Sequence, residues 1–76
     1  MQHLQQFTAI IEREDDGYVA LCPELDIASQ GDYVEEARKN LKEAIELFFE
    51  CADTSEIKQR LHHDELFVTR LEVAVG

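Results

Sequence analysis

The sequence predicts an α+β domain: a mainly antiparallel sheet in the order β-β-β-α-short α-β, with one long helix packed on one face. Three observations carry that prediction. Two short apolar runs, Phe7–Ile11 and Tyr18–Cys22, flank an acidic turn cluster that ends in Asp16-Gly17. Apolar residues between Val34 and Ala52 recur at three- and four-residue steps, the spacing of one helix face. Residues 67–75 return to an alternating pattern, the mark of a strand.

In the first strand Phe7, Ala9 and Ile11 share one face and Gln6, Thr8 and Glu12 the other, with Ile10 the exception. Glu14-Asp15-Asp16-Gly17 supplies the hairpin turn, since Asp-Gly suits the positive φ of tight hairpins. Tyr18–Cys22 is the second strand, ended by Pro23, which has no N–H for a sheet ladder. Ile27–Gly31 is a short third strand near an edge. Asp32 reads as the helix N-cap, with Glu35 completing a capping box. Glu35 and Glu36 place negative charge where the helix dipole favours it. Val34, Ala37, Leu41, Ala44, Ile45, Phe48 and Ala52 form one stripe, and Arg38, Lys39, Lys42, Glu43 and Glu46 the solvent side. Leu47 and Phe49 widen the stripe beyond what one sheet face requires, so Leu47, Phe48 and Phe49 are the candidate self-association contact. Asp53-Thr54-Ser55 breaks the helix and caps a short second one, Glu56 to His62. In the closing strand Phe67, Thr69, Leu71, Val73 and Val75 alternate with Val68, Arg70, Glu72 and Ala74.

A chain of 76 residues has room for one domain, residues 1–76. Domains of this size bury only roughly 60% of their unfolded surface and often gain stability by association. A homo-oligomer, dimer or tetramer, is therefore expected. Seventeen acidic against seven basic residues leave a net charge of -10. Phosphate backbones and anionic membranes repel such a chain, so neither direct nucleic-acid binding nor membrane binding is expected. Basic proteins are attracted to it. The start, Met1-Gln2-His3-Leu4, has no secretory pattern, and no apolar run reaches membrane-spanning length. The expected location is the cytoplasm. Cys22 and Cys51 are too few for a disulfide scaffold and read as small buried hydrophobes.

No catalytic constellation emerges. Glu12, Glu14, Asp15, Asp16, Glu24 and Asp26 gather near the first hairpin and the turn after the second strand. A Mg²⁺-dependent nuclease would set its carboxylates on rigid strand centres, but the centre of the first strand is Thr8-Ala9-Ile10. Glu12, Asp15, Asp16, Glu24 and Asp26 read instead as a solvated, partner-facing acidic rim. His62 and His63 are adjacent and point about 100° apart on a helix. Neither pairs with His3 or a cysteine at zinc-site spacing. Gly17, Gly31 and Gly76 are too dispersed for a phosphate loop, and there is no Gly-x-Ser-x-Gly. The expectation is a non-enzymatic protein with no metal and no cofactor.

Four strings in this order carry a resemblance: Phe7-Thr8-Ala9-Ile10-Ile11-Glu12, Asp16-Gly17-Tyr18-Val19-Ala20, Cys22-Pro23-Glu24-Leu25 and Gly31-Asp32-Tyr33-Val34-Glu35-Glu36-Ala37. Together with Phe67-Val68-Thr69-Arg70-Leu71-Glu72-Val73, they make nearly the whole chain resemble the HicB-type antitoxins. Tyr33 departs from the usual Thr or Ser. The resemblance implies a partial RNase-H-like domain lacking the nuclease carboxylates. It also implies a partner, a small basic mRNA-cleaving toxin of HicA type, inhibited by covering its active surface. Many relatives add a C-terminal DNA-binding segment, and with Gly76 as the last residue direct operator binding is not expected. The alternative is an orphan homo-oligomeric binding module with no toxin partner.

Overall fold

A computed structural model describes residues 5–61 and 66–76. Its elements run β1 (Ile10–Glu14), β2 (Gly17–Cys22), β3 (Ile27–Gly31), α1 (Val34–Cys51) and α2 (Thr54–Arg60). The strands form an antiparallel sheet in the order β1-β2-β3, the expected meander. α1 lies on one face, chiefly over β3 and β2, and touches β1 least.

The first hairpin turns on Asp15-Asp16, because Glu14 pairs with Gly17. Asp15 has φ 54°, a left-handed conformation that a short polar side chain tolerates. Gly17 thus opens β2 and does not occupy the turn. β1 begins at Ile10, later than its sequence pattern predicts. Its register sets Ile10 opposite Leu21, so two residues further back Thr8 would face Pro23, which has no N–H to give. The Thr8 N–H donates instead to the Glu24 carboxylate.

Ala20 and Cys22 of β2, Leu25 of the following turn, and Ala37 and Leu41 of α1 form a thin buried core. Alternate residues of the strand thereby meet residues one turn apart on the helix. Small side chains bring the two layers close, most of all at Gly31. A Cβ there would lie 2.5 Å from the Ala37 nitrogen and 2.8 Å from the Glu36 carbonyl carbon. Only a residue without a side chain lets β3 pass beneath the first turn of α1.

The N-cap of α1 is Tyr33, whose side chain makes no capping bond, and not Asp32. The Asp32 N–H donates to Glu36 Oε1 at 2.6 Å. Counted from Tyr33, Glu36 occupies the third helical position, from which a glutamate can reach back, so it replaces Glu35 in that role. α2 begins at Thr54, two residues before the expected Glu56, and is capped within the expected stretch: Asp53 Oδ1 accepts from the Glu56 N–H at 2.8 Å. Its expected end at His62 lies outside the described residues. Arg60 pins this helix to the turn after β2, donating to the carbonyls of Leu25 at 2.9 Å and Asp26 at 3.2 Å.

The closing strand expected over Phe67–Val75 is not formed. Residues 66–76 carry neither helix nor strand and are exposed throughout. A strand needs a neighbour to take its backbone hydrogen bonds, and the sheet pairs only β1, β2 and β3. Of the two cysteines expected inside, Cys22 is buried and Cys51 is exposed.

Candidate partner-binding surface

Strand pairing separates the acidic residues into two groups. Ile11 sits opposite Ala20, which is buried beneath α1, so the alternate residues Glu12 and Glu14 project from the other face of the sheet. Asp15 and Asp16 follow at the hairpin tip, and all four are exposed. Glu24 and Asp26 lie at the far end, one β2 length away, roughly 20 Å at the usual rise of a strand. The five rim residues do not form one surface. Glu12, Asp15 and Asp16 share the hairpin end, with Glu14 between them. Among the described residues none of these carboxylates is in an ion pair; the pair found there is Lys42–Glu46 at 4.0 Å.

The sheet face that projects Glu12 also carries an apolar strip. Ile10, Leu21 and Ala28 align across the three strands, with Val19 beside Glu12 in the next row. Ile10 and Ala28 are exposed, and Val19 and Leu21 half-buried. Both helices follow β3, and α1 lies on the Ala20 face, so this strip is bare among the described residues. The sequence signal for it was the second strand, Tyr18-Val19-Ala20-Leu21-Cys22, which is apolar on both faces. An apolar centre with a charged rim is the make-up of many protein interfaces.

Glu24 is committed to the fold. Its carboxylate accepts the Thr8 N–H at 3.0 and 3.1 Å, the Thr8 hydroxyl at 2.5 Å and the Cys22 thiol at 3.4 Å. Burial pushes its pKa up, but hydrogen bonds from Thr8 and from its own backbone outweigh this and hold it below the ordinary glutamate value. Burial also pushes the Cys22 thiol up, and the neighbouring Glu24 carboxylate adds to the effect, so Cys22 is a poor thiolate nucleophile. Asp26, at φ 55°, shapes the same turn and offers its carbonyl to Arg60.

Of the residues expected to drive self-association, only Leu47 is exposed. The Phe49 ring lies 5.7 Å from Phe7 and meets Phe48 edge-on at 5.3 Å. The Arg60 guanidinium sits 5.7 Å from the Phe48 ring centre. These aromatics hold α1 to the segment before β1 and to α2. His3, His62 and His63 lie outside the described residues. Among the described residues no cluster of His, Cys, Asp or Glu could hold a metal ion, and no helix is long and apolar enough to cross a membrane.

Fold and surface define the class: a small acidic α+β domain with one sheet face bare among the described residues. The chain is 38% identical over 76 residues to the UPF0150 protein ssr1765 of Synechocystis sp., covering 97% of this chain and 94% of that protein. A second Synechocystis relative, UPF0150 protein ssl0738, is 53% identical over 47 residues, 59% of this chain and 65% of the relative. A UPF0150 protein of Helicobacter pylori is 44% identical over 50 residues, 64% of this chain and 69% of the relative. The chain belongs to the UPF0150 family. No family profile and no solved structure matches it.

Proposed function

We propose that this chain is a non-enzymatic, cytoplasmic antitoxin-like protein that binds and masks a small basic mRNA-cleaving toxin of HicA type. The resemblance to HicB antitoxins supports this reading and its partial RNase-H-like fold. The observation that carries it is the juxtaposition of the hairpin carboxylates Glu12, Glu14, Asp15 and Asp16 with the bare strip of Ile10, Val19 and Leu21. Carboxylates at the rim occupy the lysines and arginines with which a toxin grips RNA phosphates. The apolar strip supplies the dry centre that a lasting complex needs. The field of the whole chain, at -10, steers a basic partner in and repels the competing RNA.

The test is inhibition of RNA cleavage by a purified HicA-type toxin, with affinity measured at low and high salt. Stoichiometric inhibition is expected. The double substitution Asp15→Lys and Asp16→Lys should weaken binding roughly 10-fold or more at low salt and flatten its salt dependence. Cleavage that continues in excess of this protein would overturn the reading. A second reading, a homo-oligomeric binding module, is favoured by the exposed apolar side chains of residues 66–76.

A further inference from the structure

We propose that two copies of this chain exchange residues 67–75, each copy's segment adding as a strand along the open edge of the other's β1 and the stretch before it. The proposal rests on the self-association reading and is independent of toxin binding.

The segment is built as a strand and lacks only a neighbour. Phe67, Leu71, Val73 and Val75, on one side of its alternation, are 86, 78, 68 and 90% exposed. A lone apolar strand in water is an adhesive edge that folded proteins do not leave free. Its extension shows in the overall dimensions: the radius of gyration is 14.6 Å and the long axis 50 Å, where a compact chain of this length would have a radius of about 11 Å.

The place for it is open in every copy. Among the described residues β1 pairs on one side only, with β2. α1 leans toward β3, and between its β1-facing flank and residues 5–9 lies a groove of about 850 Å³. Phe7, Ala9, Leu41, Ile45 and Phe49 are its apolar lining. A strand laid along β1 would turn Phe67, Leu71, Val73 and Val75 into this groove and Arg70 and Glu72 toward the side of Glu12. Residues 5–14, the stretch it would follow, match it in length.

Two features single out a second copy as the occupant. Each chain has an open β1 edge beside the groove and one strand-patterned segment without a partner, so a two-fold exchange pairs both in both copies. The segment is also electrically balanced, Arg70 against Glu72, in a chain of net charge -10. It therefore docks on an identical acidic body with little of the repulsion that the two bodies exert on each other.

The experiment has two parts. Sedimentation of the full chain should give twice 8.8 kDa. Leu71→Asp would set a carboxylate against the apolar lining of the groove and should raise the dimer dissociation constant roughly 100-fold with α1 still helical by circular dichroism. A mixed sample of isotope-labelled and unlabelled chains should then show nuclear Overhauser contacts from residues 67–75 of one copy to Phe7, Ala9 or Ile45 of the other. A dimer without those contacts would refute the exchange and leave self-association standing. A dimer whose contacts from residues 67–75 stay within one chain would likewise refute only the exchange, and a monomer would overturn both.

Discussion

Replacing Glu24 by glutamine tests whether the carboxylate that ends the sheet stabilises the fold as its geometry implies. Both Glu24 oxygens receive hydrogens: the Thr8 N–H reaches Oε2 at 3.0 Å and Oε1 at 3.1 Å, the Thr8 hydroxyl Oε2 and the Cys22 thiol Oε1. Glutamine keeps one acceptor and turns the other into an NH₂ group, which faces these donors with hydrogens of its own. A charge-assisted hydrogen bond contributes ~1.5–3 kcal/mol and a neutral one ~1 kcal/mol. The site is half-buried, so water recovers part of the difference, and the net loss should be about 1 kcal/mol. In a domain of this size that lowers the melting temperature by about 4–8 °C. The pH dependence gives a sharper criterion. Because the folded carboxyl titrates below its ordinary 4.5, its contribution is fully present above that pH and fades as pH falls through the folded value. The stability gap between wild type and Glu24→Gln should therefore be widest near neutrality and close in acid. Urea titrations followed by far-UV circular dichroism, at one protein concentration and a series of pH values, measure it. A gap that is absent at about pH 7, or stays constant down to about pH 3, would refute the argument.

Two more substitutions probe the contacts that set the layers together. Gly31→Ala forces a methyl against backbone of the first turn of α1 and should cost ~1–3 kcal/mol, seen as a lower urea midpoint with an unchanged slope. Arg60→Ala removes the donor to the Leu25 and Asp26 carbonyls and the cation over Phe48. It should cost about 1–2 kcal/mol, with amide exchange accelerating in α2 and the turn after β2 while β1 is unaffected.

Among the described residues the chain exposes both an apolar strip on one sheet face and a strand-patterned segment with no partner. The strip of Ile10, Val19 and Leu21 and the segment Phe67–Val75 sit on different parts of the surface, so toxin masking and strand exchange need not compete. If both proposals hold, each copy of the exchanged dimer keeps its hairpin carboxylates exposed and the complex carries two toxins per dimer.

What the sequence alone determined is whatever depends on neighbours along the chain. A hairpin within Glu14–Gly17, β3 over Ile27–Gly31, the amphipathic α1 and the cap at Asp53 were legible, because turn chemistry, periodicity and capping act over a few residues, but the turn falls on Asp15-Asp16 and not on the Asp16-Gly17 pair. The α1 cap was legible only to within a residue, since Asp32, Tyr33, Glu35 and Glu36 permit two placements and packing over Gly31 selects one. Partners distant in sequence were not legible. The acidic residues look like one rim in the chain, but antiparallel pairing carries Glu24 and Asp26 to the opposite end of the sheet from Asp15 and Asp16. Glu24 reads as one more surface charge until Thr8 is found beside it. The segment 67–75 has the pattern of a strand, and a pattern cannot supply the neighbour that a strand needs. Tertiary structure decided those matters, because strand register and layer packing bring together residues that no local spacing relates.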